Sequence, residues 1–161
     1  MILIDKTGLP VDDQWNYWSE GQDLTDPQST VVRLDHWETF LAHTGSGPSG
    51  LWLSGGEDHA AIYSLLEQLS LVVIEFSKSR DGRGFTLARL LRERHNFPKD
   101  IRAAGSLLPD QFSVLIQCGF TGLLVSEGVP LPRWREAAQT LELRQSKSHT
   151  LLDRLYREGQ V

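Results

Sequence analysis

The chain has 161 residues, a formal net charge of −5 and 40% hydrophobic residues, including five tryptophans. This length fits one domain, or one domain with small appendages. The mild acidity argues against non-specific binding to nucleic acid or to an anionic membrane, since both need a basic surface. The single cysteine excludes an intramolecular disulfide and any zinc or iron–sulfur centre built on several cysteines.

The first residues do not resemble a secretory signal, because the sequence reaches a charge at Asp5 before any apolar core has formed. No apolar run approaches the ~20 residues that a membrane-spanning helix needs. We therefore expect a cytoplasmic protein without a membrane association.

Residues 1–50 differ in pattern from the rest of the chain. Residues 2–4 and the turn at 8–10 predict a short hairpin, and residues 31–34 predict a strand that is followed by a short helix. The run TGSGPSG at 44–50 is a loop. These features predict an N-terminal β/α appendage over residues 1–50.

A strand–helix rhythm then repeats four times over residues 51–141. The apolar strands are 51–53, 71–74, 101–104 and 123–125, and each precedes a helical pattern. This alternation implies parallel strands joined by right-handed crossovers, and so an α/β fold with about four βα units. The units form either a half-barrel-like sheet or a small open sheet, and a half-barrel has to pair its open edges with something.

Residues 142–161 predict a C-terminal tail helix. Thr150 and Asp153 are candidate caps, and Gly159 is a candidate stop. Leucines at 151, 152 and 155 give the helix an apolar stripe. The stripe needs cover from its own domain or from a partner chain, so a homo-oligomer is one expectation.

In parallel α/β folds, ligands bind outside the carboxyl ends of the strands. Four segments are predicted to lie there: residues 54–59, 77–84, 105–106 and 126–127. The second of them, with the start of the helix that follows, reads SKSRDGRGFT over residues 77–86. Its glycines permit close backbone approach, and its cations are typical of an oxyanion site. The candidate anion-binding residues in this stretch are Lys78, Arg80, Gly82, Arg83 and Gly84.

The same stretch has a purely structural alternative. It is neither a phosphate-binding loop with Gly-Lys-Ser/Thr nor a dinucleotide fingerprint, since a third glycine is missing. Asp81 and Gly82 can make a tight turn whose arginines pair with Asp81, with Glu75 or with a neighbouring loop.

Three residues are candidates for acid–base catalysis. Glu75 is a carboxylate within an apolar strand, so it is either paired structurally or is a general base. Asp81 and His59 lie on the predicted ligand edge, and His59 is either a proton donor or acceptor or a solvated residue near a helix start. The histidine spacing does not match a metal site, so we expect no metal.

Residues 74–120 resemble a bacterial family known as domain of unknown function 934. The resemblance rests on Phe76, on RDGRGFT at 80–86, on Ala88-Arg89 and Leu91-Arg92, and on Arg102-Ala103 with Gly105. It continues with Asp110-Gln111 and with Cys118-Gly119-Phe120. The matched residues converge on the predicted ligand edge, which adds Gly105 to the anion site and Asp110 and Gln111 to its rim. Glu127, at the carboxyl end of the last predicted strand, is a rim candidate by its position alone.

The resemblance implies a role near sulfite reduction, because genes of this family often lie beside those of assimilatory sulfite reductase. Members are sometimes described as probable oxidoreductases, but this sequence has no dinucleotide fingerprint and no haem or cluster ligand set. We therefore expect no cofactor. Three hypotheses follow: an accessory protein of sulfite or sulfate assimilation that binds a small anion or a pathway protein, a small acid–base enzyme acting on an anionic substrate, and a homo-oligomeric scaffold.

Overall fold

The computed structural model describes residues 1–22, 26–56 and 60–158. One sheet of seven strands forms its centre. The strands are β1 (Ile2–Ile4), β2 (Asn16–Tyr17), β3 (Thr30–Arg33), β4 (Gly50–Ser54), β5 (Leu71–Phe76), β6 (Asp100–Gly105) and β7 (Gly122–Val125). The α-helices are α1 (Trp37–Thr44), α2 (Arg83–Glu93), α3 (Phe112–Gln117) and α4 (Leu131–Glu158).

The strand order is β1-β7-β6-β5-β4-β3-β2. From β2 to β7 each strand pairs in parallel with the next strand of the chain, while β1 pairs antiparallel with β7. This stepwise parallel order is that of a (βα)8 barrel cut in half. The predicted α/β fold is confirmed, and of the two predicted arrangements the half-barrel is the one observed.

The two faces of the sheet are both buried, as the continuous apolar strands predict. On β5, Val72 and Ile74 pack beneath the helices, whereas Leu71 and Val73 belong to a separate cluster on the inner face of the half-barrel. All four side chains are fully buried. A strand of this kind is stabilised by burial of apolar surface on both faces.

The open side of the half-barrel is crossed by the chain's own N-terminal region. Because β1 and β2 are consecutive in sequence but form opposite edges of the sheet, the crossing segment, residues 5–15, runs from one edge to the other. The predicted hairpin forms a short turn, with a bridge between Ile4 and Pro10 and a hydrogen bond from the Val11 amide to the Leu3 carbonyl oxygen at 2.9 Å. The longer pairing of β1 is with β7.

A buried ion pair fastens this crossing segment to the inner face. Asp13 accepts a hydrogen bond from Arg102 Nη1 at 2.8 Å, and the Tyr17 hydroxyl donates to Asp13 at 2.7 Å. Arg102 lies on β6, and its side chain is only 8% exposed. The half-barrel is therefore covered on its inner side by residues that are remote from β6 in sequence.

Two helical predictions differ from the structure. After β4 the chain forms a 3-10 helix over Ala60–Leu65 in place of an α-helix, and the larger rise per residue of this helix suits a short connection. The last two predicted helices form one helix, α4, because residues 142–150 contain neither glycine nor proline. Thr150 and Asp153 thus lie within α4 and do not cap it.

In the part of the chain that the structure describes, no helix is long and apolar enough to span a bilayer.

Candidate functional site

The rim loop, residues 77–82, connects the end of β5 to the start of α2. Two glycines beside it are required by packing. A Cβ on Gly84 would lie 2.6 Å from the ring of Phe76, and Gly105 has a φ of +89° with the Phe76 carbonyl oxygen where its Cβ would be. Gly84 and Gly105 were predicted as anion-binding residues, and the structure gives both of them a packing role at the loop.

The rim loop is held by the neighbouring loop after β6. The Gln111 side-chain amide donates to the Ser79 carbonyl oxygen, and the Gln111 side-chain oxygen accepts from the Leu108 amide at 3.1 Å. The Ser106 amide donates to the Phe76 carbonyl oxygen at 2.8 Å. Gln111 therefore supports the main chain of the loop, a role that its position in the sequence did not reveal.

Asp81 and Arg83 form a closed pair within this site. Arg83 donates from Nε at 2.9 Å and from Nη2 at 2.6 Å to the two carboxylate oxygens, and its backbone amide also donates to Asp81. The side-chain hydrogen bonds from Arg83 lower the pKa of Asp81 to about 2. A carboxylate held so firmly in its charged form is a poor general base at neutral pH.

Lys78 and Arg80 differ from Arg83 in that their side chains have no hydrogen bond or ion pair with a described residue. Both residues are exposed, and neither side chain makes a hydrogen bond or an ion pair within residues 1–22, 26–56 and 60–158. The rim loop thus presents two unpaired cations next to the exposed guanidinium of Arg83.

A cleft of about 510 Å³ opens beside the rim loop, between the end of β4 and α2. The guanidinium of Arg83 lies over Gly56, and its Nη1 atom is the nearest to that glycine. Asp81 engages Nε and Nη2, and no residue within 1–22, 26–56 and 60–158 accepts a hydrogen bond from Nη1. The cleft is lined by Gly55, Gly56, Gly82, Arg83, Thr86, Leu87 and Leu90, so Arg80 and Gly105 are not among its walls.

Glu75 lies on the inner face of the half-barrel, away from the rim cations. One of its oxygens accepts from Trp52 Nε1 at 2.8 Å and from Arg33 Nη1 at 3.1 Å. The Arg33 guanidinium also lies 5.8 Å from the centre of the Trp52 ring. Arg33 and Trp52 were not predicted, although strand alternation places both of them on the face of Glu75 once the register of β3, β4 and β5 is known.

The remaining predicted site residues do not join the rim loop. Glu127 is exposed in the turn after β7, and Asp110 lines a separate groove of about 440 Å³ between α3 and α4. His59 lies outside the described residues. Among the residues that are described, no three His, Cys, Asp or Glu side chains are placed to hold a metal ion.

Several other residues of the matched pattern stabilise the fold. Arg92 donates to the carbonyl oxygens of Gly119, Phe97 and Lys99 and so ties the end of α2 to two loops. Gly119 has a φ of +102° and lies against the Arg92 side chain. Cys118 is buried, and burial raises the pKa of its thiol, the opposite of what a nucleophile needs.

A match to a known protein family covers most of the sheet and the site. A family model described as bacterial protein of unknown function, DUF934, matches residues 50–149. This range extends from β4 into α4 and includes the rim loop and the cleft. Among curated proteins, no match to the chain was found. Since the model covers more than half of its residues, the chain belongs to the DUF934 family.

Proposed function

We propose that the chain is a non-catalytic accessory protein of bacterial sulfite or sulfate assimilation, and that its rim loop binds a small oxyanion. The observation that carries the anion site is the exposure of two cations, Lys78 and Arg80, on a loop held in place by Gln111. Neither cation has a hydrogen bond or an ion pair with any residue that the structure describes. A fixed loop loses little conformational freedom when an anion binds, so its cations are already arranged for the ligand. Nη1 of Arg83, which has no hydrogen-bond acceptor among the described residues, extends the same cationic edge.

The states of the acidic residues favour a binding role over the alternative of a small acid–base enzyme. Asp81 is paired with Arg83, and Glu75 accepts hydrogen bonds from Arg33 and Trp52 on another face of the sheet. Acid–base catalysis needs two such groups in one cleft, within reach of a substrate. The described candidates lie in separate environments, and each is already engaged.

The metabolic part of the proposal rests on the resemblance to a family whose genes accompany sulfite reductase. Sulfite and sulfate are tetrahedral or pyramidal oxyanions of the kind that arginine and lysine bind through charge-assisted hydrogen bonds. The ligand class that suits the rim loop and the suggested pathway therefore agree. A protein of the sulfite-reductase pathway that presents an acidic group is the alternative partner for the same cations.

A thermal-shift titration tests the anion site. We expect sulfate, sulfite or phosphate at tenfold excess over its dissociation constant to raise the melting temperature by about 3–5 °C relative to chloride at equal ionic strength. The double variant Lys78→Gln/Arg80→Gln should lose this shift. Arg94→Gln is the matched control, because Arg94 is an exposed arginine at the far end of α2 without an ion pair in the described ranges.

Two outcomes would contradict the anion site. If the double variant keeps the full shift, the cations of the rim loop are not the ligand's partners. If the wild type shows no shift with any oxyanion, the loop is a structural turn or a contact for another protein.

Growth on defined sulfur sources tests the metabolic part separately. A bacterial strain that lacks the gene should grow slowly on sulfate or sulfite and normally on cysteine, and the double variant should fail to restore growth. Equal growth of the deletion strain on all three sources would contradict the role in sulfur assimilation. The anion site would then depend only on the thermal-shift titration.

A further inference from the structure

The cleft beside the rim loop has a polar end and an apolar wall. Arg83 forms the polar end, while Thr86, Leu87 and Leu90 follow it along one side of α2. Seven residues of α-helix span about 10 Å, so the wall extends well beyond the reach of an ion bound at the guanidinium. Leu90 is half-buried and does not belong to the main core.

The floor of the cleft consists of Gly55 and Gly56, which have no side chains to fill it. A Cβ on Gly56 would lie 2.6 Å from Arg83 Nη1, and a Cβ on Gly55 would lie 3.2 Å from the Gly84 amide nitrogen. Larger residues at these positions would push into the guanidinium and into α2. Gly56 thus leaves the space that the Arg83 guanidinium occupies, and Gly55 allows the start of α2 to lie close to β4.

Asp81 sets the orientation of the Arg83 guanidinium from the side opposite the cleft floor. Both carboxylate oxygens of Asp81 accept from Arg83, and they occupy Nε and Nη2. The remaining Nη1 lies directly against Gly56, at the floor of the cleft. Asp81 is therefore a positioning residue that directs one edge of the Arg83 guanidinium to the polar end of the cleft.

The size and lining of the cleft fit an organic ligand better than an inorganic ion. Its volume of about 510 Å³ lies in the range of small-molecule sites, which are mostly apolar with a few placed polar groups. An inorganic oxyanion would contact Nη1 and leave the leucine wall in water. An anion with an apolar body would cover Leu90 and gain from its burial.

We infer that the ligand of this site is an organic oxyanion, a phosphate or sulfate monoester whose charged group meets Arg83 Nη1 and whose apolar body lies along Thr86, Leu87 and Leu90. This inference rests on the proposed function, because it names the ligand class of the same cationic edge. It adds that the cleft, and not the rim loop alone, selects the ligand.

An NMR titration of the full chain measures how much the apolar body of the ligand contributes to its affinity. Inorganic phosphate, phenyl phosphate and phenol are compared at equal ionic strength, and the amide signals of Gly55 and Gly56 report on the floor of the cleft. We expect phenyl phosphate to bind at least about tenfold more tightly than inorganic phosphate, a difference of about 1.4 kcal/mol. Phenol, which lacks the charged group, should bind more weakly than phenyl phosphate.

Substitutions in the apolar wall of the cleft test whether Leu90 and Thr86 cause the tighter binding of phenyl phosphate. Leu90→Gln should remove the advantage of phenyl phosphate and leave the affinity for inorganic phosphate unchanged. Leu143→Gln is the matched control, because Leu143 is a 64% exposed leucine on α4 outside the cleft. Thr86→Gln fills the same part of the cleft from an exposed position, so it tests the wall even if the change at Leu90 disturbs the fold.

The outcomes separate this inference from the proposed function. Equal affinities for inorganic and phenyl phosphate would overturn the inference while the anion site stands. A tenfold advantage that survives both Leu90→Gln and Thr86→Gln would also overturn it, because the body would then lie elsewhere. Absence of binding by both phosphates would overturn the inference and the anion site together.

Discussion

At the scale of single residues, the same residue type serves unlike purposes within this chain. Arg83 pairs with Asp81, Arg92 donates to three carbonyl oxygens, and Arg102 fastens the crossing segment through Asp13. Sequence proximity to the RDGRG pattern does not distinguish these roles. What distinguishes them is whether the partner is a neighbour in sequence, a loop carbonyl or a carboxylate from the far edge of the sheet.

Gly105 allows a test at this scale. Gly105→Ala should lower the free energy of unfolding by about 3 kcal/mol, since a side chain there meets a positive φ and also the Phe76 carbonyl oxygen. Gly45→Ala should cost only about 1 kcal/mol, because Gly45 has a φ of +68° but open space around it. Urea denaturation of the two variants measures the difference, and equal losses would show that the contact with Phe76 contributes nothing.

At the scale of elements, the repeating strand–helix units could be predicted and the crossing segment could not. Each of the four core strands is predicted by a local apolar run, and their parallel order follows from the alternation with helices. The crossing segment depends on Asp13 and Arg102, which are 89 residues apart in sequence. No local pattern links two polar residues at that separation, and the same holds for Glu75 with Arg33.

The pH dependence of stability tests how firmly the crossing segment is held. Burial opposes ionisation of Asp13, but hydrogen bonds from Tyr17 and Arg102 outweigh it and lower the pKa of the carboxyl. A lowered pKa contributes stability above the unfolded value of about 3.9, and this contribution is lost as the pH falls through the folded pKa. Denaturation between pH 6 and pH 2, at values of about one unit apart, should therefore show a smaller acid loss for Asp13→Asn than for wild type.

Tyr17 allows the same test at alkaline pH. Burial, with the hydrogen bond to Asp13, raises the pKa of the Tyr17 hydroxyl. A raised pKa contributes stability below the unfolded value of about 10, and this contribution is lost as the pH rises above that value. Tyr17→Phe should reduce the alkaline loss of stability. Unchanged slopes in both variants would mean that the ion pair does not hold the crossing segment in solution.

At the scale of the whole molecule, the proposed site lies at the edge of the sheet where the fold class predicts that ligands bind. The rim loop and the cleft lie at the carboxyl ends of β4 and β5, which is the edge that parallel α/β folds use for ligands. The apolar wall along α2 was not predicted, because Thr86 and Leu90 look like ordinary helix positions until Gly55 and Gly56 are known to face them. The sequence alone thus indicated the charged half of the site and not its apolar half.

The placement of β1 has a consequence for synthesis on the ribosome. Ile2 pairs with Val125, so β1 can pair only after β7, the last of the seven strands, has been made. Until then, a nascent chain can add β3, β4, β5 and β6 in order, but it holds an unpaired edge and an uncovered inner face, both of which invite association with other chains. Pairings between such distant residues also slow folding, because the long loop has to close before its contacts form. β1 is therefore made before the other six strands and is among the last of them to pair.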